Sequence, residues 1–197
     1  MGEVQSGQRV GEVTASQTQR VEAQCYRPYA APPLGSLVRI GSPAVYAVAL
    51  DIRHEPLDPT RPLTPRGADL ETEDELYAAN PQLSAILTTR FTAAIVGYRD
   101  GAAIRAGLPS LPPELHSFVF LCDDGDLVIF GGDFGWLRLL LEERSPASDT
   151  AIANLLRQTA NTRADSRRFL LGAGKALAAE LSAEPRRMRA LLREVGA

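Results

Sequence analysis

The 197 residues are enough for one domain, or for a domain with an appendage, and 45% of them are hydrophobic, as in ordinary globular proteins. No apolar run approaches the roughly 18–20 residues that a membrane-spanning helix needs, which excludes that class. The net charge of −3 also argues against a general nucleic-acid binder.

The first part of the chain alternates polar and apolar residues, which predicts β-strands. A first pair covers Arg9–Thr14 and Arg20–Cys25, and a polar turn joins them. A second pair, Leu37–Ile40 and Val45–Ile52, flanks Gly41-Ser-Pro, which is typical of a hairpin turn.

A proline-rich segment and a helical insertion follow the fourth strand. Four prolines between 54 and 68 break regular structure, so we expect an exposed connection there. Thr72 and Glu75 have the spacing of a capping box, which predicts the start of a helix, and Asn80-Pro81 starts a second one. The two form a helical hairpin inserted at about 70–88.

Strands return after this insertion. They are predicted at Phe91–Tyr98, Ala102–Leu108 and Ser117–Cys122, with a last one at Leu127–Phe130 after the turn Asp123-Asp-Gly-Asp. These strands and the earlier pairs predict a small β-barrel over 9–130, preceded by a flexible tail at 1–8.

The pattern from 131 to 197 is helical. Ser145-Pro146 and Asp165 are typical helix starts, and Phe169, Ala173, Leu177 and Leu181 show the four-residue spacing of an apolar helix face. Such faces need mutual burial or the flank of the barrel. The predicted fold class is therefore α+β: a small N-terminal β-barrel with an inserted helical hairpin, followed by a C-terminal helical bundle.

Residues that could carry catalysis are few. The two histidines, His54 and His116, and the two cysteines, Cys25 and Cys122, form no motif typical of a hydrolase or a metal site. We therefore expect no enzymatic activity and no catalytic, cofactor-binding or metal-binding residue. The scarce cysteines and the absence of an apolar N-terminal segment favour a cytoplasmic protein.

Three further motifs are interpreted as structural. Gly172-Ala-Gly-Lys175 lacks the earlier glycine and the following Ser or Thr of a phosphate loop, which favours close helix packing. Asp123, Asp124 and Asp126 lack a closing glutamate, which favours a turn over a calcium site. The acidic residues between 69 and 75 are interpreted as a solvated helix start, with an acidic docking patch as the alternative.

Charge is distributed unevenly along the chain. Residues 151–197 carry nine Lys/Arg and four Asp/Glu, a charge of +5, whereas residues 1–150 carry −8. The side of the last helix that faces away from its apolar residues carries four arginines: Arg186, Arg187, Arg189 and Arg193. These are the candidate partner-binding residues, with ordinary solvation as the alternative interpretation.

The barrel segments resemble a known family. The start of a HAS-barrel resembles two segments of this chain, Val10-Gly-Glu-Val-Thr-Ala-Ser-Gln-Thr and Pro33-Leu-Gly-Ser-Leu-Val. The HAS-barrel is the small N-terminal barrel of HerA-type DNA-translocating ATPases, and it resembles the N-terminal barrel of rotary ATP synthase subunits. The closing part of stand-alone HAS-barrel proteins of cyanobacteria and related bacteria is similar to two later segments, Phe91–Tyr98 and Leu108-Pro-Ser-Leu-Pro-Pro-Glu-Leu-His-Ser-Phe-Val. Those proteins also carry a helical C-terminal extension, so the resemblance covers about 9–195.

The resemblance implies an assembly surface and not a motor. HAS-barrels of the ATPases help to build the ring and offer a docking face to partner nucleases, but this chain lacks a P-loop, a Walker B strand and the length of an ATPase core. We therefore expect a non-enzymatic adaptor that binds another protein, in a larger assembly or on a ring ATPase. The alternative is a nucleic-acid-binding barrel accessory to DNA processing, and homo-oligomerisation stays open.

Overall fold

A closed β-barrel forms the N-terminal part of the computed structural model, which describes residues 7–61 and 63–196. The strands are β1 Arg9–Ser16, β2 Arg20–Cys25, β3 Leu37–Ile40, β4 Val45–Pro56, β5 Leu87–Asp100, β6 Ala103–Ala106 and β7 Phe118–Leu121. Six of them close in the order β1-β2-β5-β4-β3-β7, and all these pairs are antiparallel. Strand β6 extends the sheet outward from β5.

Three strands, β1, β4 and β5, are longer than predicted. The ladder between β4 and β5 continues until Pro56 lies opposite Leu87, so the exposed connection predicted from 54 begins after 56. Proline is tolerated there because it occupies the last position of the strand, where a missing N–H breaks little pairing. Register shifts between Tyr46 and Ala47 and between Ala49 and Asp51 mark irregularities that bend a long strand around a small barrel.

Alternation along the strands builds two cores, one on each side of the sheet. In β4, Val45, Ala47 and Ala49 lie in the barrel interior. Their neighbours Tyr46, Val48 and Leu50 lie in a second core on the outer side, together with the C-terminal helices. Small interior side chains such as Ala47 and Ala49 fit the narrow lumen of a six-stranded barrel.

Helices occupy the insertion and the C-terminal part of the chain. They are α1 Glu73–Ala79, α2 Leu83–Ile86, α3 Asp124–Phe130, α4 Leu137–Leu141, α5 Pro146–Asn161, α6 Ser166–Glu180 and α7 Pro185–Val195. The predicted α+β architecture, a barrel with a helical insertion followed by a helical region, is confirmed. Residues 1–6 of the predicted tail lie outside the described residues, and Gln8 accepts a backbone hydrogen bond from Leu121.

One predicted strand, Leu127–Phe130, is wrong, because this segment belongs to helix α3. Asp123 caps the helix by accepting a hydrogen bond from the backbone N–H of Asp126 at 3.0 Å, and the Asp126 carboxylate accepts one from the N–H of Asp123 at 3.4 Å. A capping box of this kind starts a helix, whereas the sequence alone had suggested a hairpin turn.

The C-terminal helices cover the wall of the barrel formed by β4 and β5. Helix α5 approaches the loop before β3, where Gly35 has a φ of +84° and an added Cβ would lie 2.5 Å from the carbonyl oxygen of Ala151. Only glycine permits this approach. The side-chain amide of Asn154 then donates to the carbonyl oxygen of Leu34 at 2.9 Å, which fixes the helix against the barrel.

Neither cysteine forms a disulfide. Cys25 lies in the barrel interior, whereas Cys122 packs against the outer core, so the two thiols lie on opposite sides of the sheet. Among the helices of the described ranges, none combines the length and the apolar character needed to cross a membrane.

Candidate interaction surface

The wall formed by β1 and β7 lies across the barrel from β4 and carries a cluster of polar and aromatic side chains. Strand pairing places Glu12 of β1 opposite Phe118 of β7, and the residue after β2, Tyr26, is held by a backbone hydrogen bond to Val10. We call this cluster the barrel-wall patch and define it by five residues: Arg9, Glu12, Tyr26, His116 and Phe118.

An arginine holds the two aromatic rings of the patch in place. The guanidinium carbon of Arg9 lies 5.2 Å from the ring centroid of Tyr26 and 4.6 Å from that of Phe118. Cation–π contacts of this length are attractive. As residues, Tyr26 and Phe118 are nevertheless 48% and 41% exposed, so each presents a positioned aromatic side chain to the outside. Restrained aromatic side chains lose little conformational entropy when a partner covers them.

Glu12 organises the polar half of the patch. The hydroxyl of Tyr26 donates to Oε1 of Glu12 at 2.9 Å, and Nδ1 of His116 lies 3.0 Å from Oε2. The hydrogen bond from His116, followed by that from Tyr26, lowers the pKa of Glu12, so its carboxylate is ionised at neutral pH. Burial and then the same hydrogen bond to Glu12 raise the pKa of Tyr26, which therefore keeps its proton.

His116 also fixes the backbone at the entrance to β7. Its φ of +64° is unusual for a residue other than glycine, and its backbone N–H donates to the carbonyl oxygen of Val13 at 2.9 Å. Together with the contact to Glu12, this bond holds the strained residue in place just before β7. Strained backbone of this kind often accompanies functional sites.

The arginines of α7 divide into two groups. Arg186, Arg189 and Arg193 are exposed, as predicted for candidate partner-binding residues, and their role in binding stays a prediction. The expectation that Arg187 also faces solvent is wrong, because its side chain is only 14% exposed. It lies four residues before the buried Leu191, at the edge of the apolar face of the helix.

Arg187 joins three helices. Its Nη2 donates to Oδ1 of Asp149 at 2.7 Å, and its Nε lies 3.0 Å and 3.1 Å from the two carboxylate oxygens. Its Nη1 donates to the carbonyl oxygen of Leu141 at the end of α4. Arg187 is therefore a structural residue that connects α7 to α4 and α5.

A second cluster attaches the insertion to the barrel. The backbone N–H of Tyr29, which has a φ of +62°, donates to Oγ1 of Thr89 at 2.7 Å, and Nδ1 of His54 lies 2.8 Å from the same oxygen. The hydroxyl of Tyr77 on α1 donates to the hydroxyl of Tyr29 at 2.9 Å. His54 therefore has structural partners on the strand and in the loop after β2.

The glycine motif and the acidic segment also have structural explanations. Gly172 and Gly174 lie inside α6, as predicted. An added Cβ at Gly172 would be 3.2 Å from the ring of Phe134, in the loop before α4, whereas one at Gly174 would make an ordinary contact of 3.6 Å with Leu192 of α7. Thr72 caps α1, but the Glu75 carboxylate accepts from the N–H of Glu71, so only half of the predicted capping box forms.

Cys25 and Cys122 are poor nucleophiles. Burial raises the pKa of the Cys25 thiol to about 11, and burial together with Asp126 raises the pKa of Cys122 as well. Both thiols are protonated at neutral pH. Within the described residues, no group of three or more His, Cys, Asp and Glu side chains could hold a metal ion.

Comparison with known proteins adds no assignment. The chain matches no protein-family model, and a search of curated proteins finds no match. The function must therefore be inferred from the surface that the barrel presents.

Proposed function

We propose that this chain is a HAS-like barrel adaptor without enzymatic activity that binds another protein through the barrel-wall patch, in a larger assembly or on a ring ATPase. The exposed rings of Tyr26 and Phe118, held on either side of Arg9, carry the proposal. Tyrosine and arginine are enriched at the residues that dominate binding energy in protein interfaces, and aromatic residues are enriched at interfaces in general.

The position of the patch supports this proposal. The opposite wall of the barrel, formed by β4 and β5, is buried under the C-terminal helices, so the helical region cannot use the patch as its own packing surface. In the described part of the chain, the C-terminal helices thus leave the wall of β1 and β7 available to a partner. The aromatic rings of Tyr26 and Phe118 lie at its centre, with the ionisable side chains of Glu12 and His116 around them.

The electrostatics of the patch favour a protein over a nucleic acid. Tyr26 and Phe118 could serve as stacking platforms for single-stranded bases, which is the observation that keeps a nucleic-acid-binding barrel as the second candidate. Such barrels track the phosphate backbone with a positively charged groove. Here the ionised Glu12 offsets the charge of Arg9 and would repel a phosphate.

The expectation of no enzymatic activity is part of the proposal. It is supported by the thiols of Cys25 and Cys122, which are protonated and therefore poor nucleophiles. It is also supported by the two histidines, since His54 is hydrogen-bonded to Thr89 and His116 to Glu12. Unpaired cysteines also fit a reducing compartment such as the cytoplasm.

The experiment compares capture by three immobilised proteins from an extract of the source cells: the wild type, a Tyr26→Ser/Phe118→Ser variant and a Leu171→Ser control. Leu171 is an exposed apolar residue on α6, remote from the patch in sequence and fold. We expect one protein to be retained by the wild type and by the control and lost with the patch variant.

The nucleic-acid alternative is measured in parallel, by fluorescence anisotropy with a labelled single-stranded oligonucleotide. Oligonucleotide binding that disappears in the patch variant would support the second candidate. Equal protein capture by all three proteins would contradict a role for the patch.

A further inference from the structure

Two apolar surfaces lie at opposite ends of the barrel. The loop between β6 and β7 exposes Leu111 and Leu115, which are 77% and 59% exposed, on either side of Pro112-Pro113. At the other end, the insertion encloses a groove of about 520 Å³. Its apolar lining consists of Pro56, Leu57, Leu63, Leu83, Ala85 and Ile86. We call these surfaces the proline loop, residues 109–115, and the insertion groove.

One copy cannot bring its own two surfaces together. Val45 lines the recess beneath the proline loop, whereas Pro56 lines the insertion groove, and these residues are the two ends of β4. Eleven residue steps along a strand span roughly 35 Å. Because the barrel holds β4 in its sheet, the loop can reach a groove only on a second molecule.

The chemistry of the two surfaces is complementary. Leu57, Leu63 and Ile86 leave the groove partly exposed, so an inserted leucine would remove apolar surface from water on both sides. Within the described residues, Arg66 at the groove donates only to the neutral amide oxygen of Asn80, whereas Arg61 pairs with Asp58 at 3.4 Å. The exposed Glu114, which stands beside the leucines of the loop, is therefore complementary in charge to Arg66. Prolines restrict the free loop, which reduces the entropy lost when it binds.

We propose that the proline loop of one copy, with Leu111 as the inserted side chain, docks into the insertion groove of a second copy, with Glu114 beside Arg66. The interface is heterologous because it joins two different surfaces. A repeated contact of this kind closes into a ring or extends into a filament. It uses no residue of the barrel-wall patch and so goes beyond the proposed function.

The test is sedimentation velocity over roughly 10 µM to 1 mM, because a small interface of this kind is weak. We expect concentration-dependent association of the wild type, and at least about tenfold weaker association of Leu111→Asp and of Ile86→Asp. Leu171→Asp, which places the same charge on α6, should associate like the wild type.

Mixing the two variants gives the decisive result. Leu111→Asp retains an intact groove and Ile86→Asp an intact loop, so an equimolar mixture can form one interface and should stop at a heterodimer. A variant that merely unfolds cannot be complemented in this way. A monomeric wild type over the whole range, undiminished association of Leu111→Asp, or a mixture that stays monomeric would overturn the proposal. Both variants leave the barrel-wall patch intact, so these outcomes are independent of the partner-capture experiment.

Discussion

Replacing Arg187 should destabilise the fold far more than replacing its neighbour Arg186. Arg187→Ala removes a guanidinium that makes three contacts of 2.7–3.1 Å with the Asp149 carboxylate and one with the carbonyl oxygen of Leu141. The Asp149 carboxylate would then remain between α5 and α7 without this partner. Arg186 is exposed, so its truncation leaves no buried group unpaired.

The magnitude follows from the burial of the pair. Removing one partner of a fully buried ion pair costs about 3–5 kcal/mol, whereas an exposed pair contributes about 0–1 kcal/mol. The side chains of Arg187 and Asp149 are 14% and 22% exposed, which places this pair toward the buried case. We expect Arg187→Ala to lower the free energy of unfolding by about 2–3 kcal/mol, and Tm by roughly 4–12 °C for a chain of this size.

Urea unfolding monitored by circular dichroism, together with thermal unfolding, measures this difference. Arg186→Ala should stay within about 0.5 kcal/mol of the wild type. Arg187→Lys keeps the charge but loses the planar fork, so its stability should fall between those of Arg187→Ala and the wild type. A double-mutant cycle with Asp149→Ala isolates the pair. Equal stabilities of Arg187→Ala and Arg186→Ala would refute the structural role of Arg187.

Three further predictions follow from the barrel. Because the pKa of Glu12 is lower in the folded protein, its ionised form stabilises the fold above its ordinary pKa of 4.5, and this contribution is lost as the pH falls. In urea titrations, the difference in unfolding free energy between the wild type and Glu12→Gln should therefore shrink as the pH is lowered, and a constant difference would contradict this. The pKa of Cys25 is raised from 9.0 to about 11, so the unfolded chain loses the thiol proton first and the wild type should lose more stability than Cys25→Ala between these two pH values. Equal changes in unfolding free energy for the two proteins would contradict this shift. Brief trypsin treatment should cut first after Arg66, in the exposed connection beyond β4; a first cut after Arg90, within β5, would show that the barrel opens more easily than the insertion.

Much of the fold could be predicted because local patterns report burial directly. The alternation in β4 marks the faces that meet the two cores, and Ser145 and Asp165 mark the starts of α5 and α6 through their capping hydrogen bonds. The extension of β4 to Pro56 could not be seen locally, because it depends on pairing with Leu87 across the insertion. A hairpin turn was predicted in place of helix α3, because the residues of Asp123-Asp-Gly-Asp favour turns and aspartate also favours helix starts.

The candidate surface could not be predicted, because it is assembled from distant parts of the chain. Glu12 and His116 are 104 residues apart and meet only where β7 closes the barrel onto β1. Arg187 and Asp149 are 38 residues apart, and their pairing depends on the contact between α5 and α7. Arg187 is expected from the sequence to face away from the apolar residues of α7, although it lies four residues before Leu191. Only the partner on α5 determines that this edge position is buried.

Photo-crosslinking from position 118 tests most directly whether the barrel-wall patch binds a protein. A photoreactive phenylalanine analogue replaces Phe118, which is already an exposed aromatic residue, and the same analogue at Leu171 serves as the control. After irradiation in the source cells, we expect position 118 to yield a discrete crosslink to one protein that position 171 does not yield. Crosslinks from position 118 to nucleic acid, or the same products from both positions, would contradict the proposed function.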